Sequence, residues 1–272
     1  MRLSTNVPGV AMSVAGTGRG ALHVVEHNLR VYLRTWHGSI FSTIMMPVAF
    51  LAAMGLGLGS LVNHHTNGVE GLSYVAFIAP GLLVANAMQS AFFLATYPIM
   101  GKIRWHHTYE AVLATPEGVL EILLGELAWM VVRMLQGAVI FAIVMVLFGA
   151  SRSPWLIAAI PVAALTGLAF AAPIAVLSAV ARNDMPFAMV QRFVILPLFL
   201  FGGAFFPLDR LPGALQVAAW ALPLAHGVTL ARALSAGTAT LGPSLLHLAV
   251  LVAYTVAGLV AAAFVFRRTL KP

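Results

Sequence analysis

The 272-residue chain contains no cysteine, and charge is scarce: Asp, Glu, Lys and Arg together make up 8% of it. Without cysteine there is no disulfide framework, no thiolate metal site and no cysteine nucleophile. A soluble domain carries about 25% charged residues, so water is not the main solvent of this chain. Only eight acids occur and no Asp-x-x-x-Asp pair, which argues against a membrane-embedded enzyme that holds Mg²⁺ on clustered carboxylates. Lysine is almost missing. A phosphate-binding loop needs G-x-x-x-x-G-K-[ST], but Lys102 is followed by Ile103 and lacks the upstream Gly, and Lys271 follows Leu270. This chain cannot hydrolyse ATP by that route. No H-E-x-x-H occurs either, and the adjacent pairs His64-His65 and His106-His107 would diverge on a helix, so they read as loop histidines rather than metal ligands.

What is present is apolar length. Hydrophobic residues make up 61% of the chain, and about 20 of them in a row cross the hydrocarbon core of a bilayer. Six stretches qualify, approximately 40–62, 72–99, 119–148, 155–181, 187–207 and 244–266. The second and third exceed the minimum, which predicts tilt or extension beyond the lipid. Residues 1–19 are Gly/Ser/Thr-rich, and Pro8, Gly9 and Ser13 interrupt Val7–Gly16, so this segment reads as a flexible cytoplasmic tail rather than a signal peptide. Between the tail and the first span, Leu22, Val25, Leu29, Tyr32, Leu33 and Trp36 recur at helical spacing, with His23, His27, Arg30 and Arg34 on another face. That pattern predicts an interfacial amphipathic helix over 20–37.

The formal net charge is +7, yet the basic residues never form the long run expected of a nucleic-acid binder. They sit in short groups between apolar stretches. Alternate loops place Arg2, Arg19, Arg30, Arg34, Lys102, Arg104, Arg182, Arg192, Arg267, Arg268 and Lys271 on one side, eleven residues, against three on the other, Arg152, Arg210 and Arg232. The positive-inside rule makes both termini cytoplasmic. Arg133 lies inside the third span and belongs to neither count. With Glu126 it forms the intramembrane charge of the sequence, about 10 Å apart at 1.5 Å per residue. A charge at such a depth is expensive, and a structural pair or snorkelling ranks ahead of a transport role.

Two connections are unusual. Loop 100–118 is polar and aromatic, and Lys102–Ala114 has no helix breaker before Thr115-Pro116. A short helix projecting into the cytoplasm is expected there, carrying Trp105, His106, Tyr109 and Glu110. The segment 208–243 contains two apolar pieces, Gly213–Leu222 and Leu224–Leu234, divided by Pro223. Each is too short to span, so a re-entrant hairpin near the outer face is predicted. Gly55 and Gly59 form a small-xxx-small pair suited to close helix packing, and Pro47, Pro80, Pro98, Pro173 and Pro197 permit kinks.

Specific strings carry a resemblance: Thr108-Tyr109-Glu110-Ala111 with Thr115-Pro116; Leu124-Gly125-Glu126-Leu127-Ala128-Trp129; and Leu165-Thr166-Gly167-Leu168-Ala169-Phe170. The most specific runs from Phe201-Gly202-Gly203-Ala204-Phe205-Phe206-Pro207-Leu208 to Asp209-Arg210-Leu211-Pro212, followed by Leu222-Pro223-Leu224-Ala225-His226. Over about residues 20–268 the chain resembles the permease subunits of type-2 ATP-binding-cassette exporters, in the branch of nodulation-factor and daunorubicin-type drug exporters. The resemblance implies an all-α membrane domain with six spans, an interfacial helix and a re-entrant hairpin before the last span. It implies that loop 101–116 couples to a separate ATPase subunit, which holds the ATP and Mg, and that two permease copies or homologues assemble with two ATPases in a bacterial plasma membrane. Phe205, Phe206, Pro207, Pro212, Pro223 and His226 would belong to the outer gate. This chain itself would need no cofactor, bind no nucleic acid and contact membrane lipid. The expected cargo is an amphiphilic or hydrophobic molecule, a drug or a glycolipid, moved outward. The competing readings are an ion-coupled secondary transporter, which would favour several buried charges and repeated halves, and a lipid-modifying enzyme.

Overall fold

A computed structural model describes residues 14–59, 69, 71–151 and 153–270. The tail before Val14, the His64-His65 pair, Arg152 and Lys271 therefore lie outside the described residues. Helix α1 covers Val14–Ala52 and continues as a π-helical stretch, Ala53–Leu58. Then come α2 (Tyr74–Ala95), α3 (Tyr97–Arg104), α4 (Thr108–Leu113), α5 (Val119–Leu147) and α6 (Leu156–Val180). The remaining helices are α7 (Met185–Phe201, with a π turn at Gln191–Ile195), α8 (Gly213–Trp220), α9 (Pro223–Ala236) and α10 (Leu241–Thr269). The protein is an all-α integral membrane protein.

Five helical segments are long and apolar enough to cross a membrane: Gly18–Gly55, Tyr74–Arg104, Val119–Leu147, Leu156–Val180 and Leu241–Thr269. The expected span 187–207 corresponds to the shorter α7, 17 residues from Met185 to Phe201, at the lower limit for crossing. Helices α8 and α9 meet at 82° with Pro223 at the bend, a geometry that fits a broken span as well as the expected re-entrant hairpin.

Three local expectations need correction. The amphipathic segment 20–37 is not a separate helix, because nothing between it and the first span breaks the backbone: α1 runs through both for 39 residues, about 58 Å. Residues 14–19, expected in a flexible tail, are its first turns. The helix expected from Lys102 to Ala114 is broken at Trp105–His107, where His107 adopts a left-handed φ of 49° and the His106 N–H reaches back to the Gly101 carbonyl. Pro98 stands in the first turn of α3 and Pro197 just after the π turn of α7, whereas Pro47, Pro80 and Pro173 lie inside continuous helices.

Helix α6 is the hub, packed against α2, α5, α9 and α10. Small residues make this possible. A Cβ on Gly167 would meet Met134 Sδ at 2.3 Å and the Ala87 carbonyl at 3.0 Å, and one on Gly227 would meet Thr166 Oγ1 at 2.2 Å. Such approach is the usual basis of helix association where lipid is as apolar as Leu. Helix α1 lies alongside α5 in parallel, with Gly20 against Glu121, Val24 and Ala21 against Gly125, and Thr43 against Gly137. Gly55 packs on Val75, as a small-residue contact should. The outermost helices, α1 and α10, leave Phe41, Met46, Leu245 and Val260 more than half exposed, apolar surface that suits lipid.

Candidate functional site: two ends of one bundle

One end of the bundle gathers the first turns of α1, the segment α3–α4, the start of α5 and the last turn of α10. We call it the basic end. Lys102, at the end of α3, points inward. Its Nζ donates to Glu126 Oε1 at 2.5 Å and to Asn28 Oδ1 at 2.7 Å, while Asn28 Nδ2 donates to Glu126 Oε2 at 3.3 Å. The three side chains close a ring that joins α1, α3 and α5. It is well shielded, with side-chain exposures of 17% for Lys102 and 4% for Glu126. The charge of Glu126 is therefore answered by Lys102, not by Arg133.

Tyr109 closes this cluster from the loop side. It was expected to project outward, but it is only 2% exposed. Burial, reinforced by the charge of Glu126, holds its phenol well above the ordinary value of 10.0, so the ring is a neutral plug. The reason is geometric: the left-handed turn at His107 re-aims α4, so its first turn faces α5. Glu110 and His106 stay exposed, Trp105 is 59% exposed, and His107 Nδ1 lies 2.9 Å from Glu110 Oε1. Of the four loop residues singled out by sequence, three face solvent and one is core. The far end of the loop is tied down as well: His23 Nδ1 of α1 is 2.8 Å from Glu117 Oε1, and Glu121 accepts from the Gly118 N–H at 2.5 Å. A cavity of about 330 Å³ lies between these parts, and a groove of about 760 Å³ runs between Arg104, Glu110 and the end of α10 at Thr269–Leu270.

Arg133 finds one partner on its own helix, α5, and two on α1. Its guanidinium donates to Gln136 Oε1 and to Ser39 Oγ, both at 2.7 Å, and lies 4.1 Å from the centre of the Tyr32 ring; Gln136 in turn donates to Tyr32 Oη at 2.9 Å. These partners are a neutral amide, a hydroxyl and an aromatic ring, not the carboxylate of an ion pair. Sequence could not supply Ser39 or Tyr32, which lie about a hundred positions upstream.

The opposite end holds the hairpin. Here Arg232 on α9 donates to the carbonyls of Phe77 at 3.1 Å and Gly203 at 2.7 Å, and its guanidinium lies 3.9 Å from the Phe77 ring centre. Gly203 has φ +89°, a left-handed turn that suits glycine. Arg232 thus satisfies the Gly203 carbonyl, which irregular backbone leaves open after α7, and ties it to the Phe77 carbonyl in the first turns of α2. Phe205 packs edge-on against Phe199 and Phe206 tilts against Phe201. Pro207 precedes the 3₁₀ turn Leu208–Arg210, and Pro212 and Pro223 begin the two hairpin helices. His226 Nδ1 lies 2.9 Å from His247 Nδ1 of α10, its Nε2 is 3.0 Å from the Trp220 carbonyl, and Tyr254 donates to the Ala221 carbonyl. Five of the six expected gate residues form these packing and turn contacts, and His226 latches the hairpin to α10. Sequence reading placed Arg232 on this side without a role, and missed His247 and Tyr254 as parts of this end.

Between the ends, a cavity of about 420 Å³ is lined by Phe50, Phe93 and Phe199 together with Asn86, Gln89 and Gln191. Gln191, on the π turn of α7, donates to Gln89 Oε1 at 3.2 Å. No group of three or more His, Cys, Asp or Glu suited to a metal ion occurs among the described residues.

Comparison with known proteins adds an independent line. Residues 22–235 match the family described as "ABC-2 type transporter". The chain is similar to Nodulation protein J of Rhizobium leguminosarum bv. viciae, 35% identical over 262 residues that cover 96% of this chain and 99% of that one. It is also similar to Nodulation protein J of Rhizobium meliloti (strain 1021), 32% identical over 260 residues, 96% and 97% of the two chains. Inner membrane transport permease YadH of Escherichia coli (strain K12) is 24% identical over 182 residues, 66% of this chain and 69% of that protein.

Proposed function

This chain belongs to the ABC-2 type transporter family as a transport permease subunit, and we propose that it is the membrane half of an ATP-driven exporter in a bacterial plasma membrane. The chain has no phosphate-binding loop of its own, so hydrolysis falls to a separate ATP-binding-cassette subunit that carries the ATP and Mg. The basic end is the cytoplasmic one, following the eleven-to-three charge asymmetry, and the segment from Trp105 to Glu117 is the docking element for that ATPase. A second permease copy, or a homologue, completes the pathway, and the hairpin with Phe205, Phe206 and His226 forms its outer gate. The cargo is an amphiphilic or hydrophobic molecule, a drug or a glycolipid. A cavity that mixes phenyl rings with uncharged amides is suited to such a molecule.

The observation that carries this reading is the construction of the loop. Its framework is anchored by a buried ion pair, yet it holds Trp105 out at 59% exposure next to an exposed acid. An aromatic anchor on a rigid support is what a small, energetically strong contact needs. The test is to express the tagged chain from its own operon and identify what co-purifies. An ATPase with a phosphate-binding loop, in equal number to the permease chains, is the expected result. A chain that purifies alone and moves its cargo on an ion gradient would establish the secondary-transporter reading instead.

A further inference from the structure

The ring formed by Lys102, Glu126 and Asn28 costs more than a loop anchor requires. Two charges are taken out of water at the edge of an apolar bundle, where a buried pair is not in itself a source of stability compared with apolar packing. Its placement suggests a different use. Lys102 lies in the last turn of α3, three residues before the break at Trp105–His107, Glu126 is seven residues into α5, and Asn28 is in the N-terminal half of α1. The ring thus ties the beginning of the loop to two spans at one point. The end of the loop is tied to α1 by His23–Glu117 and to α5 by the Gly118 N–H on Glu121, and α1 and α5 themselves touch closely at Gly125 against Val24 and Ala21. Between these two ties, Tyr109 is wedged inward. The loop is fastened at both ends and in the middle, and every fastening leads to α1 or α5.

We propose that the Lys102–Glu126–Asn28 ring is a rigid joint that passes displacement of the loop to the first and third spans, making Lys102 and Glu126 positioning residues for coupling rather than contacts to the ATPase. This rests on the reading that the loop docks on an ATPase. An ion pair with a bridging amide suits a joint better than apolar packing does, because charged hydrogen bonds prescribe direction as well as distance. Methylene contacts would hold the same helices together while letting them slide.

The cysteine-free chain permits a test that needs no knowledge of the cargo. A single cysteine replaces Val217, which is 72% exposed on α8 of the hairpin, and its rate of modification by an impermeant maleimide is followed in the permease–ATPase complex in nanodiscs. ATP with vanadate is expected to change that rate several-fold in the otherwise wild-type complex. The variant Lys102→Met/Glu126→Leu removes both charges together, so no orphaned charge remains to unfold the chain. It should retain the ATPase and its hydrolysis but lose the nucleotide-dependent change at position 217. Lys102→Arg, which keeps the pair, should retain it. If the double variant responds to nucleotide as strongly as wild type, the ring transmits nothing. Loss of the ATPase from the double variant would show that the ring only shapes the docking surface, and the joint would be refuted. Equal failure of Lys102→Arg and the double variant would do the same. A wild-type complex that holds no ATPase at all defeats the docking reading first and the joint with it.

Discussion

The two ends of the bundle each fasten a cation beside an aromatic ring, but they do it with different partners. At the basic end Lys102 meets a carboxylate and an amide, contributed by two other helices, with Tyr109 above. At the hairpin end Arg232 meets two backbone carbonyls over the ring of Phe77. The difference follows from what each end has to hold. A carboxylate partner binds one regular helix to another and leaves their backbones undisturbed. Of the carbonyl partners, that of Gly203 lies in irregular backbone and would otherwise remain unpaired at a depth where water is scarce, while that of Phe77 offers a second lone pair near the start of α2. The first arrangement joins elements; the second caps them.

The largest effect should come from unbalancing the basic end. Lys102→Met alone leaves Glu126 buried and unpaired, at a cost of about 3–5 kcal/mol. A steep fall in the yield and thermal midpoint of the detergent-purified chain is expected, while the double neutral variant stays near wild type. Equal stability of the single and double variants would mean that water reaches Glu126 and that the contrast between the ends is overstated. At the hairpin end, Arg232→Leu strands the Gly203 carbonyl and should cost about 1–3 kcal/mol, with the loss concentrated in faster proteolysis between Gly203 and Pro223. Gly125→Val pushes α1 off α5, because even a Cβ would lie 2.6 Å from Val24 Cβ; overpacking of this kind costs about 1–3 kcal/mol. Arg133→Leu should matter least of the four. It loses the hydrogen bonds to Ser39 and Gln136 but leaves no buried charge, so about 1 kcal/mol is expected, with insertion intact. Wild-type levels of folded chain with export abolished would instead give that arginine a transport role.

How much of this was legible in sequence depends on the range over which each feature is determined. Spans at 119–148 and 155–181 became Val119–Leu147 and Leu156–Val180 because a long apolar run is a local property. The break between α8 and α9 was legible for the same reason, since Pro223 divides two apolar pieces. The joints were not. Glu126 was seen as a charge near Arg133, yet its partner lies 24 residues upstream and the arginine's hydroxyl partner, Ser39, lies 94 upstream. Tyr109 and Trp105 look alike in a polar loop, and only the left-handed turn at His107 sends one inward and the other outward. The continuity of α1 was missed because a change from amphipathic to apolar patterning was treated as a boundary, although no residue between the two parts breaks a helix.

The central claim is that the basic end receives the ATPase and the hairpin end does not. Quantitative co-purification of the ATPase with single-end variants tests it most directly. Trp105→Ala/Glu110→Ala removes the exposed anchor and its neighbouring acid without touching the buried ring; an exposed aromatic anchor of this kind is often worth 2 kcal/mol or more, so retention of the ATPase should fall at least tenfold while the permease inserts normally. Trp220→Ala, at the other end, should leave retention unchanged. Full retention by Trp105→Ala/Glu110→Ala, or a comparable loss in Trp220→Ala, would contradict the assignment of the loop as the docking element.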